Sequence, residues 1–130
     1  MEITITQPDD FHLHLRDGAL LEAVTPHSAK HFQRAIIMPN LKPPITTTSS
    51  AISYRESILK AVPKTSNFTP LMTLYLTDVT TPHEIQLAKK SGVVYGVKLF
   101  GYKLRSIIWI FNDGIEQNYH SIVWEVNGMK

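Results

Sequence analysis

Short apolar runs alternate with longer segments of mixed polarity over the first hundred residues. Turn-forming residues such as proline, glycine and aspartate separate them, and the mixed segments carry apolar residues at helical spacing. The apolar runs, which predict β-strands, cover residues 11–15, 34–38, 69–77 and 93–100. Strands that alternate with helices are typical of a parallel α/β sheet with right-handed crossovers, so this is the expected fold class.

The first two mixed segments predict helices that pack on this sheet. The first runs from Ala19 to about Phe32 with an interruption near Pro26, because proline lacks the N–H that continues a helix. The second covers residues 51–62 and begins after a cap at Thr48 or Ser49. Its apolar stripe is expected to consist of Ile52, Leu59 and Val62.

The third helix has the clearest start signal in the chain. Thr81 is suited to the N-cap, Pro82 to the first helical position, and Glu84 to closing a capping box with Thr81. The helix is expected to run to Lys90, with Gly92 just beyond it as a C-terminal stop.

Composition excludes several classes of protein. With 130 residues, 43% of them hydrophobic, the chain has the size of one domain and can bury a core. The net charge of +2 comes from scattered basic residues, which argues against nucleic acid as a partner. The sequence has no cysteine, so any metal must be bound through nitrogen and oxygen. No apolar run reaches the roughly 20 residues of a membrane span and no signal-peptide pattern opens the chain, so a cytoplasmic protein is expected.

Two histidines, His12 and His14, lie one residue apart in the first predicted strand. On a strand their side chains share one face at about 7 Å separation, whereas Leu13 and Leu15 point to the opposite face and are expected to be buried. Two imidazoles on a rigid strand form half of a metal site. The alternative is a pair of surface histidines on an edge strand, because His-x-His also occurs by chance.

Three further polar residues lie at or near the carboxyl ends of predicted strands, where α/β folds bind their ligands: Arg16, Asn40 and Lys98. Arg16 is suited to binding a carboxylate, or it is a solvated turn residue. Asn40 is equally common in turns for local reasons. Lys98 lies in an apolar strand and is costly to bury unless paired or modified; the alternative is that this face of the strand is wet.

The longest distinctive stretches of the sequence are Pro8–Gly18, Arg34–Pro44, Phe68–Asp78 and Val97–Phe100. In combination they strongly resemble the dihydroorotase family, in particular its shorter, homodimeric type, and the first two stretches look most like the plant members. The resemblance covers about the first hundred residues. Hydantoinases and allantoinases share the His-x-His strand but not the stretch Met38–Pro44, so they are the weaker alternative.

This resemblance implies a zinc-dependent amidohydrolase on a TIM-type barrel that interconverts N-carbamoyl-L-aspartate and L-dihydroorotate in pyrimidine biosynthesis. By the resemblance, His12 and His14 hold the more buried of two zinc ions, and Lys98, carboxylated on its amine, bridges both. Arg16 and Asn40 match the residues that bind the carboxylate of the small-molecule substrate. The family's catalytic aspartate lies late in the barrel, and no residue of this chain is matched to it.

The resemblance divides the chain at about residue 100. Residues 1–100 are expected to form the N-terminal part of the barrel, its first four strand–helix units, and residues 101–130 a divergent tail that is strand-like in part.

A partial barrel is expected to leave an open edge on each side of the sheet, and Ser106–Phe111 is a charge-free run that favours aggregation. The alternative to an active enzyme is therefore an inactive truncated product that retains partial zinc binding or a subunit interaction. Organellar plant members add the mitochondrion or plastid as an alternative compartment.

Overall fold

The computed structural model describes residues 2–101 and 104–110 as strands alternating with helices. Four strands and three helices follow one another before a fifth strand, which confirms the expected α/β class. In chain order the elements are β1 (Asp9–Leu13), α1 (Gly18–His31), β2 (Arg34–Ile37), α2 (Thr48–Ala61), β3 (Thr69–Tyr75), α3 (Pro82–Lys90), β4 (Val94–Gly101) and β5 (Leu104–Ile110). Of the divergent tail expected over residues 101–130, the part from residue 111 onward lies outside the described residues.

The strands form one sheet in the order β1-β2-β3-β4-β5. The first three pairings are parallel, so that β1 to β4 all end at the same edge of the sheet. The last pairing is antiparallel, with Gly101 opposite Leu104 and Gly96 opposite Ile110. Within the described residues, β5 supplies backbone partners to β4, so the outer strands of the sheet are β1 and β5 rather than β1 and β4.

The main apolar core lies between the sheet and its three helices. It joins Ala35, Ile37, Met72, Leu74 and Val97 of the strands to Leu21, Ala29, Ala51, Tyr54, Ile58 and Ala88 of the helices. Because side chains alternate along a strand, the neighbouring positions point to the opposite face, where Ile36, Met38 and Leu71 form a smaller buried cluster with Tyr95. Leu15 is fully buried and Leu13 half-buried in the main core, as expected.

Helix α1 is continuous from Gly18 to His31, so the interruption expected near Pro26 is not present. The helix places Leu21, Thr25 and Ala29 toward the core at intervals of four residues. Burial of this face holds the helix together across the one backbone hydrogen bond that proline cannot donate.

Helix α2 begins at Thr48, earlier than expected, and it buries a different face. The Thr47 hydroxyl, rather than Thr48 or Ser49, caps the helix by accepting from the Ser50 amide at 3.2 Å. The buried side chains are Ala51, Tyr54 and Ile58, whereas Ile52 and Leu59 are each 38% exposed. The expected stripe is wrong for Ile52 and Leu59, whereas Val62 is partly buried against the main core, as expected.

Helix α3 begins and ends where the sequence predicts. The Thr81 hydroxyl accepts from the Glu84 amide at 3.1 Å, and Gly92 follows the helix with a φ of +65°, the left-handed conformation that favours glycine. The Glu84 carboxylate, however, does not close the expected capping box with Thr81. It binds the first residue of α2, accepting from both the amide and the hydroxyl of Thr48 at 2.6 Å.

No helix within residues 2–101 is long and apolar enough to cross a membrane.

Candidate active site at the carboxyl ends of the strands

His12 and His14 lie together at the end of β1. Their ring centroids are 5.2 Å apart and the ring planes are tilted by 48°. The strand ends at Leu13, two residues earlier than predicted, so His14 lies just past it. The His12 amide donates to the Asp10 carboxylate at 2.8 Å, which fixes the backbone between the two positions.

Lys98 is buried in β4, with 2% of its surface exposed. It lies opposite Tyr75 in the register of β3 and β4, near the edge where the parallel strands end. Its Nζ donates to the side-chain oxygen of Asn40 at 2.5 Å. Burial lowers the pKa of Lys98, because the charged ammonium loses hydration. The alternative of a wet strand face is therefore wrong for this position.

Asn40 belongs to a tight loop that leads from β2 to α2. The Pro39 carbonyl accepts from the amides of Leu41 and Ile45 at 2.9 and 3.0 Å, and the Ile45 carbonyl accepts from the Tyr75 amide at 2.7 Å. These bonds fold the loop back onto β3. Asn40 therefore occupies a fixed place above the sheet, where it reaches Lys98 on the far side of β3.

Arg16 follows His14 in the turn between β1 and α1. Its φ of 63° is left-handed, which is unusual for a residue with a side chain. Its carbonyl accepts a hydrogen bond of 2.6 Å from the Tyr54 hydroxyl on α2. The next residue, Asp17, caps α1 by accepting from the Gly18 amide at 2.7 Å.

The charges of this cluster act on both histidines. Burial lowers the pKa of His12 and of His14, and the Lys98 ammonium lowers both further; His12 and Arg16 add to the effect at His14, and the Asp10 carboxylate opposes it at His12. Neutral imidazoles are favoured, and a neutral imidazole keeps a nitrogen lone pair for a metal ion. The fold thus brings His12, His14, Asn40 and Lys98 to one edge of the sheet, with Arg16 in the adjoining turn.

Sequence reasoning missed two residues that support this cluster. Tyr54 holds the Arg16 turn, and Glu84 holds the start of α2, which the Asn40 loop enters. Neither contact has a local signal, because the partners are 38 and 36 residues apart in the chain.

The donor set fits part of a metal site. Two imidazoles within reach of each other can bind one zinc ion, and a carboxylated lysine would add an oxygen ligand. In its ammonium form, Lys98 is a cation and binds no metal. Across the described ranges, no group of three His, Cys, Asp or Glu side chains lies close enough to hold a metal ion.

Known proteins resemble the chain in sequence over three quarters of its length. It is 70% identical over 100 residues to the mitochondrial dihydroorotase of Arabidopsis thaliana, an alignment that covers 77% of this chain and 26% of the relative. It is 65% identical over 98 residues to the dihydroorotase of Methylobacillus flagellatus, which covers 75% of this chain and 28% of the relative. No family profile matches the chain.

Solved structures resemble the fold as well. The dihydroorotase of Campylobacter jejuni superposes with a TM-score of 0.67 and 42% sequence identity over 75% of this chain and 28% of its own. The dihydroorotase of Saccharomyces cerevisiae, solved in complex with 5-fluoroorotic acid, gives a TM-score of 0.67 and 39% identity over 74% of this chain and 26% of its own.

A parallel strand–helix layer that carries its polar cluster at the strand ends, and that superposes on these structures, defines part of a TIM barrel of the amidohydrolase type. Within that class, the chain belongs to the dihydroorotase family. It spans about a quarter of the length of the curated relatives that it matches.

Proposed function

We propose that this protein takes part in the dihydroorotase reaction, the interconversion of N-carbamoyl-L-aspartate and L-dihydroorotate. The observation that carries the proposal is the convergence of His12, His14, Asn40 and Lys98 at the carboxyl edge of the sheet. High identity to dihydroorotases over the same hundred residues supports it.

Zinc is the metal that this donor set would take, with His12 and His14 as its first two ligands. Their neutral form is favoured, and no cysteine exists in the chain to replace them. When bound, such a metal polarises the ring carbonyl and lowers the pKa of a water molecule that attacks it. The two histidines contribute by holding their rings 5.2 Å apart on a rigid strand end.

Lys98 is the residue proposed to be carboxylated. Its lowered pKa increases the share of neutral amine, the form that attacks carbon dioxide; a nitrogen–carbon bond forms and one proton leaves to solvent. The product is an anionic carbamate that offers oxygen to a metal in place of an ammonium. Burial of Lys98 is easier to reconcile with a carbamate held by metal than with a lone cation.

Arg16 and Asn40 are proposed to bind the carboxylate of the substrate. The guanidinium of Arg16 can form paired hydrogen bonds to a carboxylate from the turn beside His14. The Asn40 oxygen is engaged by Lys98, which orients the amide so that its NH₂ group points away from the lysine. With the Arg16 guanidinium and the Asn40 NH₂ group both donating to its carboxylate, the substrate would be held in one orientation relative to the metal.

A zinc-binding measurement on the purified full chain tests the metal ligands. The expected result is stoichiometric zinc that is lost in His12→Ala and in His14→Ala but kept in His27→Ala, a change at an exposed histidine on α1. With labelled bicarbonate, ¹³C NMR should give a carbamate signal that disappears in Lys98→Arg and persists in Lys64→Arg. Equal zinc in all variants would contradict the ligand assignment.

Hydrolysis of L-dihydroorotate by the zinc-loaded chain tests the activity itself. Turnover that vanishes in His12→Ala supports an enzyme. Zinc binding without turnover supports the alternative, an inactive protein that retains part of the metal site. Sedimentation of the same sample decides between a monomer and the homodimer expected from the resemblance.

The compartment is a separate proposal. Plant relatives are named as mitochondrial dihydroorotases, which favours the mitochondrion over the cytoplasm for this chain. Imaging of a fluorescent fusion that carries the tag at its C-terminus distinguishes the two.

A further inference from the structure

A tyrosine outside the metal and substrate residues makes direct contact with their backbone. The Tyr54 hydroxyl donates to the Arg16 carbonyl at 2.6 Å, and 38 residues separate the two in the chain. Tyr54 is 5% exposed, because its ring packs in the main core between α2 and the sheet. Its hydroxyl is therefore held by the core and cannot swing away from the turn.

The residue that it contacts has a conformation that needs support. Arg16 lies at a φ of 63°, where the side chain of an L-amino acid crowds the backbone. This conformation turns the chain from the end of β1 into the Asp17 cap of α1, and so it sets where the Arg16 side chain starts. A relaxed, right-handed or extended Arg16 would point its guanidinium elsewhere.

The phenol is suited to act as a permanent donor in this contact. Burial and the nearby Asp17 carboxylate raise the pKa of Tyr54, so the hydroxyl keeps its proton at every physiological pH. The hydrogen bond uses only the carbonyl of Arg16, and the guanidinium takes no part in it.

We propose that Tyr54 is a positioning residue for substrate binding, which locks the left-handed turn at Arg16 so that the guanidinium faces the carboxylate of the substrate. This rests on the proposed function, and it adds a residue of α2 to a site otherwise built at the strand ends. Tyr54 acts through Arg16 and touches no reacting atom.

Tyr54→Phe is a suitable variant because the protein is expected to fold without the Tyr54 hydroxyl. The ring remains to fill the core, and an open cavity of about 370 Å³ adjoins Tyr54, lined in part by Asp17, Ser53 and Ser57. Water from this cavity can hydrate the Arg16 carbonyl, so the chain is expected to fold, but a mobile water molecule does not hold the turn in place as the core-anchored hydroxyl does. Ser57→Ala removes a hydroxyl from the same cavity wall and serves as the matched control.

The test measures L-dihydroorotate affinity of the zinc-loaded full chain by calorimetry. Tyr54→Phe is expected to weaken binding about fivefold to tenfold, a partial loss of the charged hydrogen bonds that Arg16 makes, while zinc affinity is unchanged. Ser57→Ala should bind as the wild type does. In an Arg16→Ala background, Tyr54→Phe should change the affinity no further, because its effect passes through Arg16.

Backbone ¹³C chemical shifts of Arg16 give a readout that needs no substrate. In Tyr54→Phe they should move away from left-handed values, and in Ser57→Ala they should stay. If wild-type chain binds no dihydroorotate, the proposed function fails, and these shifts alone decide the positioning role. Unchanged Arg16 shifts in Tyr54→Phe, or an equal loss of affinity with and without the arginine, would overturn the proposal.

Discussion

The Lys98 ammonium donates to the Asn40 side-chain oxygen at 2.5 Å, although 58 residues and the whole of β3 separate the two. Asn40 thus supplies a side-chain acceptor to a lysine that is almost fully buried. A charge in such a place is tolerated only when its donors are satisfied, so the two residues depend on each other.

Loss of Asn40 alone should therefore cost more stability than loss of Asn40 and Lys98 together. Asn40→Ala is expected to destabilise the fold by about 1–3 kcal/mol, because the buried ammonium loses its acceptor. Lys98→Met should be neutral or stabilising, since it replaces a buried cation by an apolar chain of similar length. Urea unfolding of both single variants and the double variant measures the coupling. If Asn40→Ala costs as much in the Lys98→Met background as it does in the wild type, the interdependence is refuted.

Glu84 should make stability depend on pH in the acid range. Its hydrogen bonds to Thr48 lower its pKa from an ordinary value of 4.5, and the same bonds hold the first turn of α2. Since the pKa is lower in the folded state, this contribution is complete above pH 4.5 and is lost as pH falls through the lowered folded value. Glu84→Gln should destabilise the protein at pH 7 by about 1 kcal/mol or less, because solvent screens a partly exposed pair.

The measurement for Glu84 is the free energy of unfolding between pH 7 and pH 3. The wild type and Glu84→Gln should converge as the pH falls below 4.5. Glu56→Gln, at an exposed position of α2, should follow the wild type throughout. A constant gap between the wild type and Glu84→Gln over the whole range would show that the carboxylate charge is irrelevant.

Adjacent residues of α2 should respond very differently to truncation. Ile58 is fully buried in the main core, whereas Leu59 is 38% exposed. Ile58→Ala should cost about 2–5 kcal/mol, because it removes buried methyl groups and leaves a cavity. Leu59→Ala should cost less than about 1 kcal/mol. Thermal or urea unfolding of the pair tests which face of α2 meets the sheet, and a larger loss for Leu59→Ala would contradict the packing.

The backbone conformation of Arg16 should favour glycine for stability, whereas substrate binding requires the arginine side chain. At its φ of 63°, glycine is free of the strain that any side chain brings, so Arg16→Gly should be about 1 kcal/mol more stable than Arg16→Ala. Both variants lack the guanidinium and should bind dihydroorotate equally weakly. Calorimetric melting of the two, which differ only in a methyl group, checks the prediction. An alanine variant as stable as the glycine variant would mean that the turn holds no strain.

Much of the fold follows from local pattern. The apolar runs locate β2, β3 and β4 to within a few residues, and Thr81 and Gly92 set both ends of α3. The errors concern partners that are distant in the chain. The pattern on α2 pointed to Ile52 and Leu59, because hydrophobicity alone ranks them above Ala51 and Tyr54, while close packing on the sheet selects the latter.

The candidate site was predictable in its members but not in its geometry. His12, His14, Asn40 and Lys98 were each visible as polar residues at the strand ends, and the common edge of parallel strands predicts that they converge. The 5.2 Å distance between the two imidazole rings and the Tyr54 contact to Arg16 depend on how the side chains pack. No local signal in the sequence encodes either.

The antiparallel direction of β5 determines which of its residues lie near the candidate site. Strands β1 to β4 deliver their last residues to the edge that holds His12 and Lys98, but β5 starts at that edge, with Leu104 opposite Gly101. It then runs away and ends with Ile110 opposite Gly96, one strand length from the cluster. A parallel strand in the same position would have ended at the edge that holds His12 and Lys98. Here β5 brings only its first residues to that edge and places its last residue, Ile110, on the far rim of the sheet.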